Sequence, residues 1–381
     1  MFTIEVIFLL SLFGVTYSYF IYPIIILILP KHNLLPSNDL DSKNLPFITL
    51  IVTAYNEEDN IKEKINNTLE TTYPTEQREI IIASDGSTDK TNQYVNEFSA
   101  QGIRLVEVQE RKGKENAQLS AIKQAKGSII VFSDVATRID KNALQLIAHS
   151  FQNEKVGAIS SEDRFISDEG EIAGEGAYVK YEMWLRNLEC SANSLVGLSG
   201  SFFAARKEVC EDWSINVPSD FNTALNCVSK GFIAISNPKL LGYYPNIKDE
   251  SKEYPRKLRT VIRGIAALFS TPKVLNPFKF GLFSFQVFSH KLMRWAVPWF
   301  MVSLFITSIM IWQQHILFAL VFIAQLVFYG IGLIGLISKD LRSNTLVKLP
   351  FFFIQVNMAL FHASILYLMG KRITKWEPSK R

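Results

Sequence analysis

The chain has 381 residues, 48% of them hydrophobic, and a formal net charge of +4, enough for one large domain or two small ones plus membrane segments. So small a positive excess, with no dense basic run interleaved with aromatics, argues against nucleic acid as a partner. The three cysteines, Cys190, Cys210 and Cys227, show no C-x-x-C or paired spacing, which speaks against a disulfide framework or zinc site and for free thiols in a reducing compartment.

In chain order, residues 1–30 carry one charge, Glu5, and exceed the roughly 20 apolar residues that cross a bilayer. A signal peptide would have a basic start, a shorter apolar stretch and a small-residue cleavage site. This segment starts with an acid and stays bulky up to Pro30, so it reads as a retained transmembrane helix. Lys31 follows directly, which puts the next domain in the cytoplasm.

Residues 31–46 form a polar linker with Pro36 and Pro46. The apolar run 48–55 then ends at Asn56-Glu57-Glu58, with Asn56 as N-cap of a helix running to about Glu70. A second run, 79–84, ends at Asp85-Gly86-Ser87, where Gly86 permits a tight turn and Ser87 or Thr88 can cap a helix over 89–100. A strand over 103–109, a basic loop feeding a helix over 112–125, and the apolar run 129–133 ending at Asp134 follow, then a helix over 142–151. Strands alternating with short helices indicate a mostly parallel sheet covered on both faces. In such sheets ligands bind outside the carboxyl ends of the strands, so Asp85 and Asp134 share one crevice if their strands are parallel. Two acids there point to a metal or a nucleotide.

The pattern changes from Val156. A strand over 156–166, an aromatic-faced helix over 176–194, a glycine-containing strand or bend over 195–209, a short helix over 219–230 and a returning strand from Phe232 to Pro245 form a half suited to holding an acceptor. Lys252–Arg294 holds nine Lys or Arg against one acid, a basic amphipathic segment expected at the membrane interface, His290 included. Three apolar runs, about 295–313, 316–337 and 349–369, are long enough to span, with Trp295 and Trp299 suited to an aromatic belt. With the first segment they make four, which places both termini outside. The basic tail from Lys371 favours the cytosol instead, which would make one segment re-entrant or interfacial.

The series VTAYNEEDNI, IIIASDGSTDKT, RKGKENAQLSAI, VFSDVAT, GLSGSFFAARKE and PSDFNTAL, in that order, resembles family 2 glycosyltransferases of the GT-A fold. The flanking spans and the closing W-x-x-S-x-R (Trp376, Ser379, Arg381) are similar to its membrane-integrated polysaccharide synthases, whose members make poly-N-acetylglucosamine, chitin oligomers or hyaluronan. The resemblance implies a Rossmann-like α/β domain over 47–250, with a nucleotide-sugar half (47–150) and an acceptor half (151–250). This domain is inserted between the first span and an interfacial segment (251–294) followed by spans (295–370) and a basic tail (371–381). It implies an inverting transferase in a bacterial inner membrane, active in extracellular or capsular polysaccharide synthesis. Its partners would be a UDP-sugar, a glycan or lipid-linked acceptor, membrane lipids and an export complex.

By resemblance, Tyr55, Asn56 and Glu57 would line the uracil and ribose end, Asp85 would accept a hydrogen bond from uracil, and Lys112 and Lys114 would sit by the pyrophosphate. Asp134, the first acid of a D-x-D, would hold Mg²⁺ or Mn²⁺ through the diphosphate, in keeping with hard cations that take one or two carboxylates beside phosphate oxygens. Asp220 would be the general base. Arg206 would lie near acceptor or pyrophosphate, and Arg256 and Arg259 would fall on the Q-x-x-R-W segment of chain-elongating members. The chain departs from these patterns at Ala136, in place of the second acid of D-x-D, at Ser219, in place of the first acid of E-D, and at Arg256 and Thr260, in place of the glutamine and tryptophan. Metal binding then rests on Asp134, phosphate and water, and processive elongation is less supported than transfer itself. Single-sugar addition to a polyprenyl-phosphate or lipid-linked saccharide, and an inactive nucleotide-sugar-binding scaffold, are the alternatives. A dinucleotide oxidoreductase is disfavoured because no G-x-G-x-x-G follows the first strand.

Overall fold

The computed structural model describes residues 2–36, 44–166, 177–245, 250–338 and 340–373. The W-x-x-S-x-R tail and much of the linker lie outside the described residues. The chain begins with α1 (Phe2–Thr16), a π-helical turn (Tyr17–Ile21) and α2 (Tyr22–Ile28). There follow β1 (Ile48–Ala54), α3 (Ile61–Leu69), β2 (Arg78–Ser84), α4 (Thr91–Asn96), β3 (Ile103–Glu107), α5 (Lys114–Gln124), β4 (Ile129–Asp134), β5 (Arg138–Ile139) and α6 (Ala143–Ser150). The second half runs through β6 (Val156–Ile166), α7 (Ala177–Ala192), β7 (Phe202–Arg206), α8 (Ser219–Ser229) and β8 (Ile233–Pro245). Helices α9 (Glu250–Ser270), α10 (Pro277–Phe280), α11 (Leu282–Val287), α12 (Met293–Ile311), α13 (Ile316–Ile337) and α14 (Thr345–Leu368) complete it.

The eight strands form one sheet of order β3-β2-β1-β4-β7-β6-β8-β5. The expected parallel set is present: β1 pairs in parallel with β2 and β4, and β2 with β3. β7 runs antiparallel between β4 and β6. Alternation along the strands sends side chains to opposite faces. Leu50, Val52, Ile80 and Ile82 pack with Ile61 and Ile65 of α3 and Leu144 and Ile147 of α6. Ile51, Ile81, Phe132 and Phe203 pack with Ala117 and Ala121 of α5 and Ala224 of α8. On that second face the Phe132 ring stacks on Phe203 at 4.7 Å and Trp213 at 4.9 Å between centroids, a rigid aromatic layer directly behind Ser133 and Asp134. This is the doubly covered, mostly parallel sheet that the resemblance implies.

The chain divides into two compact units. Among the described residues, one gathers those within 29–245 and 266–284, and the other those within 2–28, 250–265 and 285–372. In the second unit α1 packs against α12. Gly14 makes this close, because a Cβ there would lie 2.4 Å from the Phe300 ring, and small residues let apolar helices approach. The Ser11 hydroxyl donates to Ser303 at 2.8 Å, and Tyr17 and Ser289 share a hydrogen bond of 2.8 Å. Gly332 and Gly335 of α13 likewise admit Ile354 and Phe351 of α14.

Four described helices, Phe2–Ile28, Leu282–Ile311, Ile316–Ile337 and Thr345–Leu368, are long and apolar enough to cross a membrane. The second begins well before the expected residue 295. His290, expected at the interface, is buried, as is Arg294, which meets the His290 ring at 3.3 Å and the face of Tyr19 at 4.8 Å. Aromatic and imidazole partners thus surround the Arg294 charge within this unit.

Candidate active site

The parallel register sets the geometry. Thr53 of β1 lies opposite Asp134 of β4, and Ala54 opposite Ser84 of β2, so Asp85 and Asp134 leave the sheet at the same edge. β7 enters at this edge, with Phe202 opposite Ser133. The bend before it, Ser199-Gly200-Ser201, therefore lands against Asp134, whose N–H donates to the Ser201 carbonyl at 3.0 Å. Lys114, the first residue of α5, sends its ammonium to Asp134 Oδ1 at 2.5 Å and to the Gly200 carbonyl at 2.8 Å. Asp220, in the first turn of α8, presents Oδ2 to the bare Cα of Gly200, where a Cβ would be 3.2 Å from it. One bend thus brings together Lys114 and Asp220 at Gly200 and Asp134 at Ser201. The missing side chain of Gly200 is what lets Asp220 approach.

Sequence reasoning missed Lys64. It lies on the inward face of α3 with Ile61, Ile65 and Thr68, a helical spacing that could have marked it. Its ammonium donates to Ser133 Oγ at 2.8 Å and to the Thr137 carbonyl, bridging the turn that carries Asp134. Burial pulls its pKa down to about 7, and the charge of Asp134 works in the opposite direction. Among the described residues no group of three or more His, Cys, Asp or Glu could hold a metal ion. Asp134 offers a carboxylate that already faces a cation, the Lys114 ammonium. That donor set fits a hard divalent ion sharing phosphate oxygens and does not fit an all-protein cage.

At the other end of the edge, Asp85 is 1% exposed. Its carboxylate accepts the backbone N–H of Lys112 at 3.1 Å and of Gly113 at 3.0 Å, so it ties down the 110–113 loop. Any contact to a base must use the lone pairs that remain. Asn56 is not a helix cap. It adopts φ 50°, its amide oxygen accepts the N–H of Thr88 at 2.8 Å, and α3 starts only at Ile61. The side chain is drawn across to the Asp85 turn, and the helix starts one turn later. Glu57 accepts from Asn60 at 3.1 Å and donates its N–H to Thr91 at 2.8 Å. The Tyr55 ring lies under the Arg111 guanidinium at 3.9 Å, a second contact the sequence did not reveal. Lys112 pairs with Glu110 at 3.2 Å, both well exposed, a surface pair that contributes little.

Arg206 is not at this edge. It lies opposite Ile129, at the start of β4, and donates to the carbonyls of Val156 at 2.7 Å, Phe151 at 3.0 Å and Asn153 at 3.2 Å. Because β7 is antiparallel to β4, its last residue points away from the strand tips. Replacing Arg206 with Gln should therefore lower stability by about 1–3 kcal/mol through three orphaned carbonyls, read as a lower Tm, with donor KM unchanged. A raised KM at unchanged Tm would return it to a ligand role. Arg256 and Arg259 fall on α9 within residues 250–265, in the other unit.

Residues 49–214 match the family model described as glycosyl transferase family 2. A poly-beta-1,6-N-acetyl-D-glucosamine synthase of Staphylococcus aureus (strain MSSA476) is 29% identical over 187 residues, 48% of this chain and 45% of the relative. The synthase of that name from Staphylococcus epidermidis is 28% identical over 170 residues, 43% of this chain and 40% of the relative. The matched region is thus less than half of either relative's length. A mannosyltransferase from Pyrobaculum calidifontis, solved in complex with GDP-Man and Mn²⁺, superposes with a TM-score of 0.72 at 21% identity, covering 97% of this chain and 100% of that one. This likeness concerns the fold.

Proposed function

We propose that this chain, whose residues 49–214 are a glycosyl transferase family 2 domain, is an inverting transferase that moves a sugar from a UDP-sugar to a glycan or lipid-linked acceptor at a membrane. The observation that carries the reading is the convergence of Lys114, Asp134 and Asp220 on the Ser199-Gly200-Ser201 bend. A nucleotide sugar reacts by losing a diphosphate while an acceptor hydroxyl attacks the anomeric carbon. Lys114 would offset the diphosphate charge, and Asp220 would take the acceptor proton. Asp134 would hold Mg²⁺ or Mn²⁺ beside the diphosphate oxygens, and that ion would supply charge stabilisation for the departing nucleotide. Asp85, by fixing the loop ahead of Lys114, would keep the ammonium in place for the donor.

Four helices of membrane-crossing length and the basic face of α9, with Arg256 and Arg259, support work beside a bilayer. The staphylococcal relatives make N-acetylglucosamine the first donor sugar to test, and the Pyrobaculum structure makes GDP-mannose the competing donor. In membranes holding the chain, UDP-N-acetylglucosamine with Mn²⁺ should release UDP, and mass analysis should show added hexosamine. A ladder of products supports polysaccharide synthesis, and one added residue supports single-sugar transfer. Release from GDP-mannose alone would overturn the donor assignment, and binding without release of any nucleotide would overturn the transferase reading.

A further inference from the structure

We propose that Asp163 is a positioning residue for the transfer reaction, its carboxylate clamping the Ser199-Gly200-Ser201 bend on which Lys114, Asp134 and Asp220 converge; this deepens the transferase reading and rests on it. β6 pairs with β7 only through Ser160, then continues beside β8 with Asp163 opposite Gly242. Asp163 therefore stands past the end of β7, beside the bend. One oxygen, Oδ1, accepts from the Ser199 hydroxyl at 2.6 Å and from the Ser201 hydroxyl at 3.0 Å. The backbone N–H of Ser199 is held separately, by the Ser160 hydroxyl at 2.7 Å, which itself takes a hydrogen bond from Arg186 at 2.6 Å. Gly200 is thus gripped on both sides by residues of one strand.

The grip matters because of what the bend faces. The Gly200 carbonyl receives Lys114, the Ser201 carbonyl receives the N–H of Asp134, and the Gly200 Cα meets Asp220. Three groups with separate tasks share one short backbone segment, and that segment has no side chain of its own at the centre to hold it. Burial pushes the Asp163 carboxyl above the ordinary carboxylate range, while Ser199, Arg186, Ser201 and Tyr244 act to lower it. An acid kept in such surroundings is costly without hydrogen bonds, and two of those it has, from Ser199 and Ser201, tie it to the bend. Releasing it should displace all three groups together, and misplacement on the 1 Å scale costs up to about 100-fold in rate.

The test compares Asp163→Ala, Asp163→Asn and a Ser199→Ala/Ser201→Ala double variant with wild type and Asp220→Asn in the full chain, by nucleoside diphosphate release, donor KM and Tm. Asp163→Ala should lose about 10- to 100-fold in kcat, with donor KM raised because Lys114 and Asp134 move with the bend. The double variant should match it, and combining the two should add nothing further, as expected when one interaction is removed twice. Asparagine keeps the accepting oxygen, so Asp163→Asn should stay within about threefold of wild type. Asp163→Ala within about twofold of an active wild type would overturn this proposal alone. So would an impaired Asp163→Asn beside a fully active double variant, since charge rather than the clamp would then matter. Should Asp163→Ala not fold, the double variant decides, and full activity in it overturns the clamp. A wild type that releases no nucleoside diphosphate overturns the transferase reading and this one with it.

Discussion

Asp220→Asn should lower kcat by about 10²- to 10⁴-fold, the usual contribution of a positioned general base, while donor KM stays near wild type. The amide has the carboxylate's shape, so the first turn of α8 and the fit against Gly200 survive; only the capacity to accept a proton goes. Product formation at saturating donor is the measurement, with Tm as the control for folding. If kcat stays within about tenfold, the base is another group at that edge of the sheet. Because Asp220 faces a bare Cα, Gly200→Ala should produce a related defect by pushing Oδ2 away from its 3.2 Å approach.

Asp134→Asn should cost transfer about 10²- to 10³-fold, on the scale of removing one preorganised electrostatic contact. Unlike Asp220→Asn, it should also weaken Mn²⁺ uptake in the presence of UDP, read by the electron-spin signal of free Mn²⁺. The Lys114 ammonium has this carboxylate as its counter-charge in direct contact, and the same charge opposes the lowering of the Lys64 pKa. Neutralising it removes that counter-charge in a partly buried place, so Tm should fall too. Unchanged turnover in this variant would remove the electrostatic basis of the site.

The sheet and most helices were legible because apolar runs of strand length alternated with polar tips, and parallel pairing needed only the intervening helices. The same tips disclosed Asp85, Asp134 and, through the resemblance, Asp220. What stayed hidden depends on direction. The resemblance implies a ligand role for Arg206, but only the antiparallel course of β7 shows that it lies at the far end. Asn56 has the composition of a cap, yet its long-range bonds to the Asp85 turn prevail over local preference. Lys64 and Asp163 act through residues distant in sequence, and a charge inside an apolar pattern does not announce which turn it will reach. Composition suits the segment holding His290 and Arg294 to the interface and carries no information about the aromatic rings that pack on them.

The contact between Ser11 and Ser303 joins residues 292 positions apart. At ribosomal speeds of about 5–20 residues per second, the first helix waits about 15–60 s for its companion to emerge. During that interval the whole catalytic domain is made. Closure of the α1–α12 contact therefore follows synthesis of the domain, and until then Phe300 is not there to fill the notch at Gly14.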